Sequence, residues 1–191
     1  MGAYGWSGVG LDPDARAVSA ARQAGLMVHH GILTPGRFPA GHFDAITLNH
    51  VVEHLHDPVE TLRVCHEILA PEGALWIATP NLEALGHRRF GENWRGLEPP
   101  RHLVLFTPTS LVGALERLGF RVEAGPLPCW NARWFFEVST EITQGHVPSD
   151  APALPKDIRR TVRRQAQWAN LCAWRRPALG EELIVLARRR P

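Results

Sequence analysis

Within residues 50–56 fall four titratable side chains, His50, Glu53, His54 and His56, led by Asn49 and followed by Asp57 and Pro58. An imidazole titrates near neutrality, so it can take a proton from a hydroxyl or lend a lone pair to a metal, and a neighbouring carboxylate can orient it. The chemistry on offer is therefore proton transfer or metal binding at a polar ligand. The residues before the cluster, Phe43-Asp44-Ala45-Ile46-Thr47-Leu48, form a short apolar run with β-branched members, the pattern of a strand covered on both faces of a parallel sheet. Ligands of open α/β sheets sit outside the carboxyl ends of the strands, which is where the cluster falls. After it, Asp57-Pro58-Val59-Glu60 reads as a helix start: Asp at the N-cap, Pro at the first position and Glu at the third.

The same residues admit a rival reading. His50-Val51-Val52-Glu53-His54 fits H-x-x-E-H, the pattern of a class of zinc hydrolases in which both histidines bind metal from one helix. Here the motif directly follows a strand and precedes the helix start at Asp57, so the required i, i+4 helical face is not predicted.

A chain of 191 residues that is 45% hydrophobic can bury one good core. No apolar run approaches the ~20 residues of a membrane span, and the N-terminus lacks a signal-peptide pattern, so the expected compartment is the cytoplasm. Cys65, Cys129 and Cys172 are widely spaced and form no C-x-x-C pair, which argues for buried fillers against a disulfide framework or thiolate zinc site. The net charge of +2 hides an asymmetry, because residues 156–191 hold 10 basic and 3 acidic side chains. A charge run of this kind is ordinarily a solvated helix face, the alternative being an anionic partner. The sequence leaves the oligomeric state open.

Along the chain, Gly8 to Leu11 reads as a strand ending at Asp12, Ala15 to Ala24 as a helix stopped by Gly25, and Leu26 to His30 as a second strand. An acid at the end of such a strand can accept both hydroxyls of a ribose, or merely cap the helix. Pro58 to Leu69 reads as a helix, Ala74 to Ala78 as a strand, and residues 82–106 as a long irregular loop rich in His, Arg and Trp. Thr107-Pro108 starts another helix, Phe120 to Glu123 is a strand, and Leu183 to Arg188 is the last strand. Between these two strands Ile158, Val162, Ala166, Ala169 and Cys172 recur at helical spacing, with Arg159, Arg160, Arg163 and Arg164 on the other side. Trp130, Trp134, Trp168 and Trp174 around this helix read as a packing layer or pocket lid. No nucleic-acid motif accompanies them.

This order resembles the class I S-adenosylmethionine-dependent methyltransferases, particularly the branch containing ubiquinone-biosynthesis O-methyltransferases. The resemblance rests on Gly10-Leu11-Asp12-Pro13, Phe43-Asp44-Ala45-Ile46 followed by Glu53-His54-Leu55-x-Asp57-Pro58, Leu69-Ala70-Pro71-x-Gly73-Ala74-Leu75, Thr79-Pro80-Asn81, and His102-Leu103 to Phe106-Thr107-Pro108. It implies an α/β, Rossmann-like methyltransferase sheet with helices on both faces, S-adenosylmethionine as cofactor, and transfer to a small-molecule acceptor at oxygen. Asp12 would bind the cofactor ribose, Gly31, Ile32 and Leu33 would border adenine, and Asn49 and His50 would lie beside the methionine part. Glu53 and His54 would face the acceptor, with His54 as base; its alternative is a structural hydrogen bond fixing the strand end. Arg95, Arg101 and His102 would shape the acceptor pocket, the arginines pairing with a carboxylate or phosphate. No metal site is assigned, although the resemblance also suggests a divalent ion near Glu53 and His54.

The expected organisation is a methyltransferase core over residues 1–125, a Trp/Arg-rich helical insertion or lid over 126–180, and the last core strand over 181–191. The family's first strand and its Gly-x-Gly-x-Gly cofactor loop have no match; the glycines at 5, 8 and 10 have the wrong spacing and precede the strand. Residues 1–7 read as the end of the helix that follows that loop. The chain is accordingly expected to be an N-terminally truncated form with weak or absent cofactor binding. A non-catalytic methyltransferase-like binding module is the alternative.

Overall fold

The structure, a computed structural model, describes residues 5–146 and 153–190. Residues 1–4 of the expected helix end and residues 147–152 of the expected insertion lie outside the described residues. The chain divides into two compact units, Met1–Pro39 and Ala40–Pro191.

In the first unit, β1 (Gly10–Asp12) and β2 (Val28–His30) pair in parallel, joined by α1 (Ala15–Gln23). The Asp14 carboxylate caps α1 by accepting from the Arg16 amide, and Gly25 at φ +79° turns the chain out of the helix, a conformation that suits a residue without Cβ. β2 is shorter than its apolar run predicts, since Leu26 and Met27 are exposed and outside the ladder.

In the second unit, β3 (Phe43–Asn49) and β4 (Leu69–Pro80) are parallel and connected by α2 (Pro58–Ile68). Asp57 caps α2 as its sequence predicts, accepting from the Glu60 amide at 2.8 Å. The chain continues through α3 (Leu85–Phe90), α4 (Pro108–Arg117), β5 (Phe120–Ala124), α5 (Ala132–Thr143), α6 (Lys156–Arg175) and β6 (Glu182–Arg189). The sheet order is β3-β4-β6-β5, with β6 antiparallel to both neighbours. Leu75 and Ile77 of β4, Leu183, Val185 and Ala187 of β6, Leu62 and Cys65 of α2, and Leu111 and Leu115 of α4 are all buried. Burial pushes the Cys65 thiol up to about 12, so this cysteine is an inert filler. β1 and β3 each form one ladder among the described residues.

Two helices depart from the sequence reading. α3 lies inside the stretch read as irregular, and α5 (Ala-Arg-Trp-Phe-Phe-Glu-Val-Ser-Thr-Glu-Ile-Thr) falls within the expected helical insertion but is not marked by an apolar periodicity of its own in the sequence reading. Aromatic and β-branched residues lower the intrinsic helix propensity of α5; packing supplies what propensity does not. Phe135 and Phe136 of α5 meet Val162, Ala166 and Ala169 of α6 together with Trp94 in one cluster, where the small alanines let the two helices approach closely. Trp94 is fully buried, and its indole N–H donates to the Glu181 carboxylate at 2.8 Å.

Candidate functional site

At the carboxyl end of β3, His50 adopts φ +52°, in the left-handed region that His tolerates better than most side chains. Its amide still bonds the Ala78 carbonyl of β4, so the strand ends here and the chain turns into a short 3-10 turn over Val52–His54. Because β6 runs antiparallel, its first residue, Glu182, lies opposite Pro80 at the same sheet end. His50 thereby sits between two carboxylates, with Nε2 at 3.0 Å from Glu182 and Nδ1 at 3.3 Å from Glu53 Oε1. The bonds to Glu182 and then Glu53 outweigh the cost of burial and push the His50 pKa up to about 10, so the ring is a cation at neutral pH.

Glu53 is fully buried. Burial raises its pKa, but His50 and the Thr79 hydroxyl, which donates to Oε2 at 2.9 Å, hold it below the ordinary carboxylate range. Its Oε1 has an ion-pair contact with His50 but no directed hydrogen bond.

His54 and His102 stand with ring centroids 4.9 Å apart. Nδ1 of His54 is 2.9 Å from the Arg101 carbonyl, and Nδ1 of His102 is 2.7 Å from the Gly96 carbonyl. A carbonyl can only accept, so each Nδ1 carries the proton and, in the neutral ring, each Nε2 carries the lone pair. Burial holds the His102 pKa below its ordinary value and keeps that ring neutral. These rings and Glu53 can offer ligand atoms within 4.8 Å of one another, a set with one carboxylate and two imidazoles that suits a divalent ion. The H-x-x-E-H pattern is not expressed as one helical face, because His50 precedes the 3-10 turn and faces the two carboxylates.

These groups line a cavity of about 370 Å³, together with Arg95, Glu98, Arg101, Asn131, Trp134 and Phe135. The guanidinium of Arg95 lies 5.4 Å from the Trp134 ring. Both arginines that the sequence offers to an anionic acceptor are already engaged: Glu98 Oε2 is 2.5 Å from Arg95 and Oε1 is 2.5 Å from Arg101. With His50 protonated, three cations (His50, Arg95, Arg101) face three carboxylates (Glu53, Glu98, Glu182) around the cavity. The sequence reading did not single out Asn131 or Glu182. Glu182 was detectable as one of two acids opening an otherwise apolar strand; Asn131 carries no such local sign, whereas Glu98, three residues from each arginine, lay within local reach.

The remaining predicted residues divide between the units. Asn49 closes β3 and is exposed. In the first unit, Asp12 ends β1, its Oδ1 accepts from the Asp14 amide at 2.7 Å, and its carbonyl accepts from the Gly31 amide at 2.9 Å. Gly31 takes φ +126° and is followed by exposed Ile32 and half-buried Leu33, so Asp12 and the 31–33 turn occupy the same end of the β1–β2 pair.

A family model described as a methyltransferase domain matches residues 1–124. A ubiquinone biosynthesis O-methyltransferase of Caulobacter vibrioides is 39% identical over 120 residues, which cover 54% of this chain and 44% of that protein. The chain spans less than half the length of the first curated relatives it matches. Among solved structures, an S-adenosylmethionine-dependent methyltransferase from Archaeoglobus fulgidus superposes with a TM-score of 0.60 at 20% identity, over 97% of this chain and 77% of that one. The [4+2]-cyclase SpnF superposes with a TM-score of 0.59 at 19% identity, over 95% of this chain and 65% of that one, so the fold alone does not fix the chemistry. The match over residues 1–124, about two thirds of the sequence, shows that this chain belongs to the methyltransferase-domain family.

Proposed function

We propose that the cavity of the second unit receives a small methyl acceptor and that His54 takes the proton from its hydroxyl as the methyl group arrives. The observation that carries this reading is the tautomer of His54, fixed by the Arg101 carbonyl so that Nε2 keeps a lone pair in the cavity lining. S-adenosylmethionine, when bound, supplies the methyl group. Of the residues that the resemblance offers to the cofactor, Asp12 for the ribose and Gly31 to Leu33 for adenine belong to the first unit, and Asn49 and His50 for the methionine part belong to the second. Glu53 and Glu182 hold His50 as a cation, so that ring does not serve as the base. The balanced charges of the lining favour an acceptor that is uncharged near its reacting end, since an anion would have to displace Glu98 from Arg95 and Arg101. In a form of the protein shown by calorimetry to bind S-adenosylmethionine, His54→Ala is expected to lower turnover of the isotope-labelled cofactor about 10²- to 10⁴-fold while leaving cofactor affinity nearly unchanged. Unchanged turnover would remove His54 from the mechanism, and labelled products sought in a metabolite extract identify the acceptor.

The buried Glu53 Oε1 without a directed hydrogen bond favours a second reading, in which Glu53, His54 and His102 hold a divalent ion that assists deprotonation. Calorimetric titration with Mn²⁺ or Zn²⁺ is expected to give one site, weakened at least about tenfold by His102→Ala. The absence of saturable binding would leave His54 as the base without metal.

A further inference from the structure

The outer side of α6 takes no part in the core. At about 100° per residue, Val162, Ala166, Ala169 and Ala173 share one side of the helix and are buried. Trp168, Leu171 and Trp174 follow one another at i, i+3 and i+6, an arc of roughly 120° on the opposite side. They are 62%, 44% and 57% exposed. Arg160 and Arg164 lie on the same outer line towards the helix start, flanked by Arg163, and all three are exposed. The whole helix carries six basic residues against one acid, Asp157. Trp130, 63% exposed, adjoins this face, because its carbonyl accepts from Asn170, the residue before Leu171. Of the two roles expected of these tryptophans, packing layer or pocket lid, the first does not describe Trp130, Trp168 and Trp174, which stand in solvent.

The chemistry of the face restricts what can cover it. A protein interface favours both Trp and Arg, but sets aromatic and apolar anchors at its centre inside a polar rim; here the arginines and the Trp168, Leu171 and Trp174 group occupy successive halves of one helix. A nucleic acid would pair with the arginines, but unpaired bases stack in charged grooves lined by aromatic side chains, not on the convex side of a helix, and Leu171 would have no role. An anionic bilayer meets both halves. Guanidinium groups pair with lipid phosphates, and indoles, apolar with one N–H, settle at headgroup depth beside a shallowly inserted Leu. No helix among the described residues is long and apolar enough to cross a membrane, so the contact would be made by a helix lying on the surface.

We infer that α6, with Trp130 beside it, docks this protein on an anionic lipid bilayer, Trp168, Leu171 and Trp174 entering the headgroup layer and Arg160, Arg163 and Arg164 pairing with phosphates. Asn131, next to Trp130, lines the cavity, so the docking face adjoins its rim. The inference rests on α6 itself and is independent of methyl transfer.

The test mixes the 191-residue chain with phosphatidylcholine vesicles, with or without phosphatidylglycerol. Co-sedimentation and a blue shift of tryptophan emission are expected only with the anionic vesicles, and both should weaken as salt is added. Combined Arg160→Glu, Arg163→Glu and Arg164→Glu should reduce partitioning at least about tenfold. Combined Trp168→Ser, Leu171→Ser and Trp174→Ser should abolish the emission shift. Because these side chains are exposed, circular dichroism should show both variants folded; individual reversals replace either combination that is not. Absence of co-sedimentation with anionic vesicles, equal binding to neutral ones, or undiminished binding by both folded variants would overturn the proposal. So would tighter binding to a single-stranded oligonucleotide that the arginine variant loses.

Discussion

Trp94→Ala is expected to lower the unfolding free energy by about 3–5 kcal/mol, a loss of roughly 10 °C in Tm. The indole is fully buried in the cluster that joins α3, α5 and α6, stacked at 5.9 Å on Phe135. Its N–H and the Gly86 amide, each at 2.8 Å, are the two donors that satisfy the buried Glu181 carboxylate. The fit is tight enough that a β-carbon at Gly86 would fall 2.2 Å from Glu181 Oε2. Truncation therefore opens a cavity and removes a partner from a buried acid, two costs that add. Trp94→Phe separates them, because it keeps much of the ring volume and loses the N–H; it is expected to cost about 1–3 kcal/mol. Urea unfolding of both variants measures the difference. If the Ala variant cost no more than the Phe variant, the indole would not be a packing anchor.

Stability should be greatest near pH 5 and decline towards pH 9. A group that holds its proton more firmly in the fold than in the unfolded chain stabilises the fold fully below its unfolded pKa, and that stabilisation is lost as pH rises through the folded value. Burial pushes Glu181 up to about 7 from 4.5, against the opposing bonds from Trp94 and Gly86, so its contribution is lost between those values. The size is on the order of 3 kcal/mol. His50, raised from 6.5 to about 10 by Glu182 and Glu53, adds a loss of the same sign from about pH 6.5 upward; its partial exposure makes this the smaller effect. Glu53 works the other way: its lowered pKa gives stability present above 4.5 and lost as pH falls through the folded value. Urea midpoints at pH 5, 7 and 9 should fall in that order. Glu181→Gln should flatten the first interval and His50→Asn the second, Asn being well tolerated at positive φ. A wild-type midpoint that is equal at pH 5 and pH 7 would show that Glu181 is not held protonated by its burial.

By itself the sequence determined the elements whose causes are local. The apolar run from Phe43 to Leu48 makes β3, Asp57 and Pro58 start α2, and Thr107 with Ser110 forms the capping box that starts α4. It also set the cluster from Asn49 to His54 at a strand end, where the apolar run stops, but not the strand's burial: only Leu48 of β3 is buried, and the expected cover on both faces is absent among the described residues. The tertiary structure decided which charges meet. His50 is a cation because β6, arriving from the far end of the chain and running antiparallel, brings Glu182 to it. Arg95 and Arg101, read as ready for an anion, are neutralised by Glu98, three residues from each, a local pairing that the sequence reading passed over. α5 forms against its own propensity because α6 and Trp94 cover its aromatic face. Local signals reach only a turn or two along the chain; ion pairing, tautomer and burial depend on residues that are brought together only when the sheet closes.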